Sequence, residues 1–221
     1  MSEPKERLTR LIDLATQDVP ENRRLLALDL CDLLLDWPAH YPANMREPFE
    51  ALLEKTVRGI DEDTRRALAQ KLGGRSETPL ALLNEFYFDT PAETRDAIVL
   101  RNALLDGTAA ATAMQNQTTD VAALIATARG KPQSEFAEAF AALLGIERTT
   151  AQHILGDHSA RALAVACKGA HLGRATFSAL ALLTEAGAAM EEIHQRLSTF
   201  DGVPLTGAER LLHYWRTRHA A

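Results

Sequence analysis

An all-α fold of stacked helix pairs is what this 221-residue sequence predicts. Three observations carry that reading. Leu- and Ala-rich stretches place apolar residues at helical spacing, and both residue types favour helix. Short acidic or proline-bearing turns punctuate those stretches, each followed by an arginine: Asp18-Val19-Pro20-Glu21-Asn22-Arg23, Asp61-Glu62-Asp63-Thr64-Arg65, Asp89-Thr90-Pro91-Ala92-Glu93-Thr94-Arg95 and Asp157-His158-Ser159-Ala160-Arg161. Nothing alternates as a strand does, and Phe86-Tyr87-Phe88 is too short to reverse the reading.

The elements follow in order. The first helix starts near Pro4 and sets Leu8, Leu11, Ile12 and Ala15 on one face. Pro20 and Glu21 open a second helix to Asp36, whose leucines between Leu25 and Leu35 cover much of its circumference, so neighbours must bury it from several sides. Trp37-Pro38-Ala39-His40-Tyr41-Pro42 ends it. A third helix spans Met45 to Val57, before Gly59; Asp61 caps a fourth, and Gly73-Gly74 stops it. Thr78-Pro79 begins a short helix leading to Phe86, and Pro91 begins one through Ile98, Leu100, Leu104 and Leu105. Residues 108–114 suit a short helix, and Gln115 to Thr119 a polar break. Helical spacing returns over Asp120–Ala128, Ser134–Leu144, Thr149–Leu155, Ala160–Cys167, Gly173–Ala186, Ala189–Phe200 and Thr206–Arg218.

The marker arginines Arg23, Arg65 and Arg95 recur at irregular intervals of roughly 40 and 30 residues, around the range of helix-pair repeats. Each pair has an apolar side that only the next pair can cover, and the opposite faces form a long surface. A boundary near residues 107–120 divides helical repeats at 1–107 from a second helical region at 108–221, with one continuous solenoid as the alternative.

Composition narrows the function. Hydrophobic residues make up 46% and charged residues 24%, enough to build a core. The net charge is -6 and no Lys/Arg tract appears, which disfavours a broad nucleic-acid face. Cys31 and Cys167 lie in apolar helical runs and read as buried thiols. The N-terminus lacks the apolar core of a signal peptide, and no uncharged stretch reaches membrane-spanning length, so a soluble cytoplasmic protein is expected.

Arg23-Arg24-Leu25-Leu26-Ala27, the run from Asp61 to Leu72, Pro79-Leu80-Ala81-Leu82-Leu83, and His153-Ile154-Leu155-Gly156-Asp157 through Cys167 form a characteristic combination. In these segments the chain resembles an uncharacterised, mainly alphaproteobacterial family of HEAT-like helical proteins, domain of unknown function 2336. The resemblance spans most of the chain. It implies irregular HEAT-like repeats forming an α-α superhelix or right-handed solenoid, and brings no established catalytic residue or substrate.

The residues offer little catalytic chemistry. His153 and Asp157 are four apart, with His158 and His171 as further candidates to approach them in three dimensions, but no complete HExxH or cysteine-rich ligand set is present. His153 and His171 are also the candidates for a phosphotransfer histidine, without a local motif. Ser134, Ser159 and Ser178 lack a nucleophile elbow, and Gly73-Gly74 is a helix stop rather than a phosphate loop. No catalytic residue, cofactor or metal is therefore assigned.

The expectation is a non-enzymatic scaffold or regulator that binds a protein partner. Trp37, Tyr41, Arg66 and Arg101 are its contact candidates. Trp37 and Tyr41 also suit packing around the proline turn. Tyr214 and Trp215 suit covering the last helix pair or forming a dimer. Nucleic-acid binding would require Arg65, Arg66, Arg95, Arg101 and Arg129 to converge on one stripe. Their interleaving with Asp61, Asp63, Asp89 and Asp96 predicts ion pairs instead, with Arg65 bridging to a neighbouring turn acid.

Overall fold

The computed structural model describes residues 3–17, 19–105, 122–127, 133–183 and 190–218. The regular structure among them is entirely helical. Residues 108–119 and the expected boundary at 107/108 lie outside the described residues. Two compact units are present, Met1–Thr94 and Arg95–Ala221. No helix of the described residues is long and apolar enough to cross a membrane.

The first unit holds α1 (Glu3–Thr16), α2 (Pro20–Leu35), α3 (Arg46–Val57), α4 (Glu62–Gly73) and α5 (Leu80–Glu85). Single 3-10 turns precede α3 and follow α5, the latter taking up Tyr87–Asp89. Pro20 occupies the first turn of α2, where its missing N–H costs nothing. Asp61 caps α4 by accepting from the Thr64 N–H at 2.9 Å. As the leucine distribution of α2 requires, α1, α3 and α4 all pack on it. Leu26, Leu30, Leu33 and Leu34 are buried there with Leu53 and Val57 of α3 and Leu68 and Leu72 of α4.

The next elements are α6 (Ala92–Leu104), helical residues 122–127 (α7), α8 (Gln133–Leu144), α9 (Arg148–Leu155), α10 (Arg161–Gly169), α11 (Arg174–Leu183), α12 (Met190–Gly202) and α13 (Leu205–Thr217). In the second unit α10 is the centre, with α9, α11, α12 and α13 packed against it. Its residues Ala162 through Cys167 and Gly169 are buried. Small side chains explain the closeness: a Cβ at Gly169 would lie 2.5 Å from the Ala208 carbonyl oxygen of α13. At Gly207, a Cβ would lie 2.3 Å from the Val99 carbonyl oxygen of α6. Stacking therefore reaches beyond sequence neighbours, since α13 closes over α10.

Gly169→Ala and Gly207→Ala should each lower stability by about 1–3 kcal/mol, because backbone must move to admit the methyl group. At Gly74 nothing lies within 4 Å of the added carbon, so Gly74→Ala should stay within about 0.5 kcal/mol of the parent. Denaturant unfolding of the three variants distinguishes close helix contact from ordinary glycine effects.

Candidate interaction surface

The arginines after the acidic turns are built into the helix stacking. Arg65 leaves the first turns of α4 and donates from Nη2 to Asp89 Oδ2 at 2.8 Å and from Nε to the same oxygen at 3.2 Å. It also donates to the Val57 carbonyl at 2.8 Å and the Glu85 carbonyl at 3.0 Å, at the ends of α3 and α5. Phe86 lies beneath the guanidinium, 5.6 Å from its centre. The Glu85 carboxylate is fully buried, with Arg65 at 3.4 Å and Arg58 at 3.6 Å. A buried carboxylate needs such partners, since burial without them costs several kcal/mol. The expected bridge from Arg65 to a turn acid is Asp89; Glu85 is the partner that local sequence does not reveal.

Arg95 does the equivalent in the second unit. Its guanidinium meets Asp157 at 3.0 Å. Asp157 also accepts from the Ser159 N–H at 3.2 Å and the Ala162 N–H at 2.9 Å, tying down the start of α10. Arg161 pairs with Asp96 at 2.9 Å. Both oxygens of Asp157 are thus engaged in helix-end and ion-pair contacts. His171 follows α10 in a left-handed conformation, with φ of 56°. The Leu172 N–H behind it donates to the Cys167 carbonyl at 2.8 Å, and its ring meets Glu209 at 3.0 Å. His171 is therefore at a helix end rather than midway along a helix. His153 and His158 are exposed. No group of three or more potential metal-ligating side chains is present among the described residues.

The four contact candidates separate. Trp37 and Tyr41 lie together, ring centres 5.5 Å apart and nearly perpendicular, with Phe49 5.9 Å from Trp37. Both are half-buried against the first unit's core, and Arg46 stands over the Trp37 ring at 5.9 Å. Arg66 is exposed on α4 and pairs with Glu62 and, at 3.5 Å, Asp63 of its own first turn. Arg101 is half-buried on α6 in the second unit. Arg129 lies outside the described residues. Trp215 is fully buried and Tyr214 half-buried, so Trp215 covers the last helix from within.

The sequence reading missed the outer face of α6. Ile98, Val99 and Asn102 are buried, while Leu100 is 53%, Leu104 82% and Leu105 52% exposed. Leu100 and Leu104 are one helical turn apart and share a face, with Ala97 exposed one turn before them. The available signal was that α6 carries more large apolar residues than one buried stripe accommodates.

The thiols are inert by position. Both cysteines are free and buried. Burial pushes Cys31 up to about 11 and raises Cys167 as well.

The sequence profile of a bacterial family described as "Uncharacterised protein conserved in bacteria (DUF2336)" matches residues 62–213, more than half of the chain. No curated protein and no solved structure matches.

Truncating Arg65 to Ala should cost about 3–5 kcal/mol in urea unfolding, because it removes one of the two counter-ions of buried Glu85 together with the Asp89 pair and the bonds to the Val57 and Glu85 carbonyls. Arg66→Ala, on exposed same-helix pairs, should change stability by less than about 1 kcal/mol. Raised thiol pKa values mean less thiolate at any given pH, and burial blocks access besides. At pH 8, a disulfide reagent should therefore modify neither cysteine in the native protein and both after denaturation; fast native labelling would contradict the buried assignment.

Proposed function

We propose, for a chain that belongs to this DUF2336 family, a non-catalytic role: a HEAT-like helical-repeat scaffold or regulator that docks a protein on the outer face of α6. The observation that carries it is the exposed Leu100–Leu104 row, continued by Leu105, on a helix whose other side is already buried. Large apolar side chains clustered in water favour burial by a partner, at about 25 cal/mol for each Å² covered. A preformed helix presents them with little ordering cost on docking. Arg101 on the same helix supplies a cation beside the apolar row.

The arginine pairings support a protein over a nucleic acid as the partner. Arg65, Arg66, Arg95 and Arg161 each contact an aspartate or glutamate, so their charge is largely balanced before any phosphate approaches. The chain as a whole is negative. The helical-repeat reading is supported by consecutive helices that pack on one another, as α1 does on α2 and α2 on α3. Cytoplasmic residence is part of the same proposal.

The test is quantitative binding of whatever native protein the chain captures. Leu100→Glu with Leu104→Glu should weaken that complex at least about tenfold, while Arg66→Glu leaves it intact. Helicity and thermal midpoint should survive in both, since all three positions are exposed. Undiminished capture by the double variant removes α6 as the docking face. Reproducible substrate turnover by the purified chain would overturn the non-catalytic reading.

A further inference from the structure

No further inference is drawn: the strongest candidate, a second copy of the chain seated on the Leu100–Leu104 row of α6, falls on the docking surface already proposed, where the flanking Asp96 is paired with Arg161 at 2.9 Å and nothing in the structure shows what covers the leucines.

Discussion

Every α-helix ends with carbonyl groups that its own backbone cannot satisfy, and a chain built from short helices multiplies that cost. Here basic side chains from elsewhere in each unit answer it. Arg65 of α4 bonds to the last residue of α3 and the last of α5, at 2.8 and 3.0 Å. Arg210 of α13 holds the Asn102 and Leu105 carbonyls at the end of α6, at 2.6 and 2.8 Å. Arg216, one and a half turns later, bonds to the Leu144 carbonyl that closes α8, at 2.7 Å. Lys168 of α10 reaches the Phe200 carbonyl near the end of α12 at 2.9 Å. In every case a positive charge sits at the negative end of a helix dipole, so geometry and electrostatics act in the same direction. Leucine stripes tolerate sliding, because one apolar contact resembles the next. A guanidinium locked to a particular carbonyl does not, and it fixes which turn of one helix meets which end of another.

That division of labour explains the composition of the second unit. α10 is encircled, so it carries no charge from Ala162 to Cys167; Ala162, Ala164, Ala166 and Gly169 supply close approach between the larger Leu163 and Val165. Its one basic residue near the C-terminus, Lys168, projects to the end of α12, and its phenylalanine partner Phe200 lies 5.0 Å from the ammonium group. The opening of α10 is set by Asp157, which serves the helix backbone and Arg95 at once. Small residues bring the helices together, and charged residues at their ends choose the register.

The helices themselves were legible because their signals are local. Asp61 as a cap, Pro20 at a first turn and Gly73-Gly74 as a stop need only a few neighbouring residues to be understood, and each is found in that role. Phe86-Tyr87-Phe88 is too short for a strand, and Tyr87 and Phe88 sit in a 3-10 turn. Pairing across distance was not legible. Arg95 finds Asp157 only after the intervening helices bring them together. Glu85 looks like any helical glutamate, yet it is the buried counter-ion of Arg58 and Arg65. On α6, periodicity placed Ile98, Leu100, Leu104 and Leu105 on a helix but could not decide which would face water. Trp37 and Tyr41 were placed at a proline turn, where they meet edge to face, while their value to a partner depends on surface that folding alone determines.

Spending arginines on helix ends also shapes what remains for recognition. A guanidinium committed to two carbonyls or a buried carboxylate is a poor partner for a passing phosphate, because moving it would leave those groups unsatisfied in a low-dielectric site. Arg65 and Arg210 are held in this way. Arg46 is committed more locally, to Glu50 one turn on in α3 at 2.7 Å and to the face of Trp37. On the proposed reading, recognition therefore falls to the exposed Leu100–Leu104 row of α6 rather than to these committed arginines.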